Sequence, residues 1–214
     1  QKIINYFDPQ ILLGLTATPE RMDGKSILPD FNNKIAAEIR LPDALNNKLL
    51  CPFQYFGISD SVDYSHIKWS SGKYDSAELT NIYTANDIRV GDIIKNLNDY
   101  TKDIHSVSAV GFCVSVEHAK FMQRKFCNAG LSAEYLVSEN SANREDIIHK
   151  FKKKEINYLF VVDIFNEGID IPQIDTVLFL RPTESLTIFL QQLGRGLRLS
   201  DDKDVLTVLD FVGQ

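Results

Sequence analysis

Two short runs, Tyr158-Leu-Phe-Val-Val162 and Thr176-Val-Leu-Phe-Leu180, are apolar at nearly every position. A strand with one wet face alternates apolar and polar residues. A strand apolar throughout is buried on both faces, which is the habit of parallel sheets covered by helices on either side. Around these runs lie further β-rich segments at 107–113, 133–137 and 205–212. Segments of helical period separate most of them, so the pattern from residue 107 onward predicts β-α-β units and an α/β fold.

The intervening helices carry start and stop signals. Ser115 is placed to cap a helix whose core stripe is Val116, Ala119, Met122 and Phe126, ending at Gly130. Ser141 is placed to cap a second, with Ile147, Ile148 and Phe151 inward and a lysine run (Lys150, Lys152, Lys153, Lys154) at its end. Cations suit that end of a helix, and the run reads as a solvated terminus rather than a nucleic-acid patch. Thr183 opens a third, with Leu186, Phe189, Leu190 and Leu193 on one face and Gly194 as its stop.

The first hundred residues read differently. Residues 11–15 and 35–41 have strand character, joined through a turn-rich stretch at 19–29, and 42–48 suits a short helix. Residues 49–58 read as extended, with Pro52 favouring a sheet edge or an irregular path. The polar stretch 59–73 reads as loop, and 77–83 and 88–100 as helices.

Composition narrows the function classes. The net charge of -6 excludes a domain that coats nucleic acid by bulk positive charge, while leaving room for local phosphate contacts through helix N-termini and a few arginines. Cys51, Cys113 and Cys127 are widely spaced, without a C-x-x-C or His/Cys cluster, so neither a metal site nor a disulfide framework is expected. The apolar runs are too short to cross a bilayer and no signal peptide shows, so the expected location is the cytoplasm. Gln1 reads as an interior cut.

Three strings carry chemistry. The first is Gln191-Gln-Leu-Gly-Arg195-Gly-Leu-Arg198, in which a helix ending near a glycine presents two arginines. Each guanidinium is a planar, permanent cation suited to phosphate. The second, Val161-Val-Asp163-Ile-Phe-Asn-Glu167-Gly168-Ile-Asp170-Ile-Pro172, is an acidic, glycine-containing loop at a strand end. Such ends are where α/β sheets hold ligands. The third, Leu15-Thr16-Ala17-Thr18-Pro19, follows the first strand-like run. Read singly, each is also an ordinary turn.

In order, L-T-A-T-P, a strand ending F-C-V-S-V, V-D-x-F-N-E-G-I-D-I-P and Q-x-x-G-R-G-x-R resemble motifs III, IV, V and VI of superfamily 2 DEAD/DEAH-type helicases. The longer strings CPFQYFG, LFLRPTES and LDFVG are similar to a bacterial branch often fused to a phospholipase D-like nuclease domain. The resemblance implies a RecA-like parallel sheet flanked by helices, preceded by a remnant of a first RecA-like domain. Residues 1–50 would be that remnant, 51–104 a connector, and 105–214 the second RecA-like domain.

By the same resemblance, Arg195, Arg198 and Gln191 would be catalytic, the arginines as fingers toward the γ-phosphate. Gly168, Asp170 and Gly194 would meet ATP, and Thr16, Ala17 and Thr18 would couple nucleotide state to domain closure. Ser115, Asp163 and Glu167 would contact nucleic acid, DNA rather than RNA. Two positions depart from the pattern: Val162 stands where many relatives have Thr, and Gln192 where many have Arg. Neither G-x-x-x-x-G-K-[ST] nor D-E-x-[DH] occurs. ATP and Mg²⁺ are therefore expected only in an intact parent that adds the other RecA-like domain, and the isolated chain is expected to be inactive. The rival reading is a non-catalytic interaction module. A dinucleotide-binding oxidoreductase is set aside, because no G-x-G-x-x-G follows a strand.

Overall fold

The computed structural model describes residues 2–7, 9–16, 26–70, 72–138, 143–162, 171–183 and 185–212. In chain order the elements are α1 (Lys2–Phe7), α2 (Leu41–Asn46), β1 (Phe53–Ser59), β2 (Trp69–Ser70), β3 (Lys73–Tyr74), α3 (Ser76–Thr84) and α4 (Asp87–Tyr100). There follow β4 (Ala109–Phe112), α5 (Val116–Asn128), β5 (Ala133–Leu136), α6 (Arg144–Lys152), β6 (Tyr158–Val161), β7 (Thr176–Phe179), α7 (Leu186–Gly196) and β8 (Leu206–Val212).

Six strands form one parallel sheet in the order β1-β8-β7-β4-β6-β5, with β2 and β3 as a separate small hairpin. Side chains alternate across a strand, and here both faces are apolar. One face presents Val110, Phe112, Leu159, Val161, Val177, Phe179 and Val208 to Ile147 and Phe151 of α6 and Leu193 of α7. The other presents Ala109, Tyr158, Phe160, Leu178 and Leu209 to Val90, Ile93 and Leu97 of α4 and to Ala119, Met122 and Phe126 of α5. Burying each large apolar side chain contributes about 1.5–3 kcal/mol, so this three-layer closure is the main source of stability. Gly111 on central β4 is required by packing, because a Cβ there would lie 2.7 Å from the Phe160 ring.

Local signals set several helix ends. Ser115 caps α5, its Oγ accepting from His118 N–H at 3.1 Å, and Gly130 ends the helix region at φ +81°. Asp75 caps α3 and Asn86 caps α4 by the same kind of bond. Of residues 49–58, those from Phe53 onward run extended in edge strand β1, as Pro52 suggested, while Leu49 and Leu50 lie in a bend. The segment read as a connector thus adds a strand to the sheet through β1 and a core face through α4.

Three sequence expectations are corrected. Residues 11–16 are irregular rather than a strand, and 35–40 likewise, with α2 starting at Leu41. A strand is held by its ladder, and no described strand pairs with either segment. The third helix begins after Ser185 rather than at Thr183 and passes through Gly194 to Gly196. A helical glycine costs about 1 kcal/mol, which burial of Leu193 and Leu197 outweighs. Ser141 lies outside the described residues; the residue before α6 is Asn143, which makes no side-chain cap bond.

Candidate functional site

The carboxyl ends of β4 and β7 and the two ends of α7 organise the candidate site. After β4 the chain enters α5 through Ser115. Thr80 Oγ1 of α3 lies 2.8 Å from Ser115 Oγ and 2.6 Å from the Ser76 carbonyl. The amino-terminal turns of α3 and α5 therefore adjoin. Ser76, Ala77, Thr80, Asn81, Ser115 and Glu117 line a shallow cavity of about 260 Å³ between them. Backbone N–H groups and hydroxyls at helix starts favour an anionic ligand oxygen.

Behind this cavity is a buried polar cluster. Arg89 Nε donates to Asp60 Oδ2 at 2.7 Å and Arg89 NH2 to the Leu180 carbonyl at 3.1 Å. The Arg89 guanidinium sits 4.0 Å over the Tyr83 ring, and the His118 ring lies 4.9 Å from that same ring. Tyr64 and Tyr83 share a hydroxyl–hydroxyl bond of 2.6 Å. Burial, reinforced by the Arg89 charge, holds the His118 pKa well below its ordinary value, so the imidazole is neutral. Its Nδ1 accepts from Val114 N–H at 3.4 Å, while its Nε2 finds no hydrogen-bond partner among the described residues. This cluster fastens α3, α4 and the loop after β1 to the carboxyl ends of β4 and β7. Sequence reading missed it, since 59–73 read as a loop and Arg89 as one more polar helix residue.

On α7, Gln191 and Arg195 lie four residues apart on one helical stripe, and Arg198 follows in the bend just past the helix end at Gly196. Gln191 is exposed, Gly194, Arg195 and Arg198 are half-buried, and Leu193 and Leu197 face the core. The register is held tightly. A Cβ on Gly196 would meet Leu206 Cδ1 at 2.6 Å and Val177 Cγ2 at 3.2 Å, so α7 approaches the sheet closely there. The Leu197 carbonyl accepts from Cys51 N–H at 2.8 Å. Gln192 is buried, and its Nε2 has no hydrogen-bond partner among the described residues.

Lys203 is the clearest functional-site neighbour that the sequence concealed. It stands in Asp201-Asp-Lys-Asp204, a charged string with no local sign of burial. Its ammonium is instead buried and donates to the carbonyls of Pro172 (2.8 Å), Ile174 (2.9 Å) and Gly196 (2.8 Å). On β1, Tyr55 donates to Asp210 at 2.6 Å, and burial and this carboxylate push the Tyr55 pKa up to about 12.

Of the remaining expected site residues, Thr16 is exposed in the irregular segment before α2. Ala17, Thr18, Asp163, Glu167, Gly168 and Asp170 lie outside the described residues. Among the described residues no group of three or more His, Cys, Asp or Glu is placed to hold a metal ion, and no helix is long and apolar enough to cross a membrane.

A parallel sheet covered on both faces, with the F-C-V-S-V string at the end of β4 and the glutamine–arginine string on and just past α7, defines a RecA-like domain of the helicase type. The profile described as "Helicase conserved C-terminal domain" matches residues 92–200, and the chain belongs to that family, within superfamily 2. Among curated proteins it is 31% identical over 204 residues to "Putative ATP-dependent helicase IRC3" of Saccharomyces cerevisiae, covering 94% of this chain and 29% of the yeast protein. It is 29% identical over 209 residues to the "51.5 kDa protein" of a Lactococcus phage, covering 97% of this chain and 45% of that protein. The chain thus spans less than half the length of either. Among solved structures, "The fragment structure of a putative HsdR subunit of a type I restriction enzyme from Vibrio vulnificus YJ016" superposes with a TM-score of 0.80 at 22% identity, over 98% of this chain and 41% of that one. That likeness shows the fold.

Proposed function

We propose that this chain supplies the second RecA-like domain, and part of the first, of an ATP-dependent helicase or translocase acting on DNA in the cytoplasm. The division at residues 50 and 104 marks the end of the first domain's remnant and of the connector. The observation that carries this reading is the placement of Gln191 and Arg195 on the last turns of α7, with Arg198 in the bend that follows, held on the sheet beside Gly196. Two guanidiniums there are permanent cations with donors in a plane, and they suit a polyphosphate. Arg195 and Arg198 act as fingers on the γ-phosphate of ATP bound to a P-loop domain, with Gln191 and Gly194 completing that edge. Gly168 and Asp170 meet the nucleotide, and Thr16, Ala17 and Thr18 couple it to closure. The acidic groups for Mg²⁺ belong to the P-loop domain.

Ser115, at the start of α5 beside Thr80 and the start of α3, takes a backbone phosphate of the nucleic acid, with Asp163 and Glu167 on the same track. Contacts of this kind position the strand without reading its sequence. ATP binding draws the two domains together, and hydrolysis and release let them part.

The test is nucleic-acid-stimulated ATP hydrolysis by this chain alone and by a polypeptide that joins it to a P-loop domain. Only the joined polypeptide should turn over, and Arg195→Ala should slow it by roughly 10³-fold or more, as for fingers in related NTPases. A joined polypeptide silent with every DNA and RNA tried would favour a non-catalytic interaction module instead.

A further inference from the structure

Lys203 links two segments that the proposed function needs in fixed relation. Its Nζ reaches the carbonyls of Pro172 and Ile174, which follow the acidic string 163–170 in sequence, and that of Gly196, which lies between Arg195 and Arg198. Three carbonyl oxygens around one nitrogen call for three N–H donors. An ammonium has three and a neutral amine two, so the cage is complete only with the charged form. The charge also sits at the carboxyl end of α7, where the unpaired helix carbonyls and the helix dipole favour a cation. The same turn returns to the chain locally, Lys203 N–H donating to the Ser200 carbonyl at 3.1 Å.

Other described contacts also hold α7, and Ile171 and Ile174 share an apolar cluster with Leu193 and Leu197. The Cys51 N–H bond to the Leu197 carbonyl ties α7 to the start of β1, and the close contact of Gly196 with Leu206 and Val177 fixes its height above the sheet. Neither reaches residues 172–174. Burial lowers the Lys203 pKa, with Cys51 and Asp175 acting against that shift. A buried cation is retained at a desolvation cost, which argues that its three bonds are well made.

We propose that Lys203 is a positioning residue for ATP hydrolysis: it clamps residues 172–174 to the end of α7 and so aims Arg195 and Arg198. The inference rests on the finger assignment of the proposed function. Lys203 touches neither nucleotide nor nucleic acid; it acts through the backbone that carries the arginines.

The experiment uses the polypeptide that joins this chain to a P-loop domain. Four forms are compared: wild type, Lys203→Met, Arg195→Ala, and the double variant. Assays run well below the measured melting temperature of each. Lys203→Met should lower kcat at least tenfold, with the KM for ATP and the affinity for a labelled oligonucleotide within about twofold of wild type. In the double variant the Lys203 substitution should add nothing to the Arg195→Ala loss, because both remove the same aim. Hydrogen exchange should rise in 172–174 and 194–198 and stay unchanged in β4 and β6. Should Lys203→Met not fold, Lys203→Arg takes its place in the cycle. That variant keeps the charge but spreads its donors in a plane, and the same pattern is expected with a smaller loss. An unchanged kcat, or losses that multiply in the double variant, overturns the clamp while leaving the fingers intact. Arg195→Ala turning over like wild type overturns the finger reading itself, and the clamp with it.

Discussion

Residues 11–15 and residues 158–161 look alike in sequence, each a short run rich in large apolar side chains, yet their fates are opposite. Tyr158, Leu159, Phe160 and Val161 are essentially inaccessible, whereas Ile11, Leu13 and Leu15 are 87%, 73% and 89% exposed. The difference is in the neighbours. β6 lies between β4 and β5, with helices on both faces, while no described strand pairs with 11–16. Apolar patterning makes a segment suited to a sheet interior, and only a ladder partner and a covering layer put it there.

The comparison breaks most readily through the buried cluster that seals one covering layer. Asp60 and Arg89 are almost wholly inaccessible. Arg89→Ala leaves the Asp60 carboxylate buried without its partner, a cost of about 3–5 kcal/mol. Chemical denaturation of this chain should show that loss, and a loss under 1 kcal/mol would mean the cluster is not part of the packed unit. Next is α7. Gly196→Ala forces a methyl against Leu206 and Val177, and overpacking of this kind costs roughly 1–3 kcal/mol. Its melting temperature should fall, whereas Gly194→Ala, with open space at the Cβ position, should not lower it.

A smaller effect is pH-dependent. The folded state holds His118 neutral because its pKa is depressed, so below about pH 6.5 the unfolded chain takes up a proton that the folded one refuses. Stability from this residue is complete above that pH and falls as the solution is acidified. His118→Phe keeps a ring against Tyr83 and removes the titration. Between pH 7 and pH 5.5 wild type should lose about 1 kcal/mol more than the variant. Parallel pH profiles for the two would remove His118 from the account.

The smallest effect sharpens the contrast at its other end. Leu13→Ser should change the stability of this chain by no more than about 0.5 kcal/mol, since the side chain is already in solvent. Joined to a P-loop domain, the same substitution should cost over about 1 kcal/mol if 11–15 then forms a strand of the first domain's sheet. Equal, small effects in both settings would remove 11–15 from that domain.

The α/β class, the extents of β4 through β8 and the caps at Ser115 and Gly130 were legible in the amino-acid string. They rest on local rules: period, side-chain oxygen at a helix start, glycine where φ turns positive. The motif order was legible too, and with it the pair of arginines near the end of the last helix, although the helix runs on through Gly194 and so carries Arg195 itself. What only the tertiary structure decided are facts about partners far apart in sequence. Strand β1 joins β8 across more than a hundred residues, which no local pattern specifies. Nothing in the local sequence marks Lys203 or Arg89 as buried, and only the fold brings carbonyls and a carboxylate around them. Burial of a charge is a property of what surrounds it, and an apolar run becomes a strand only where a neighbouring backbone offers its hydrogen bonds.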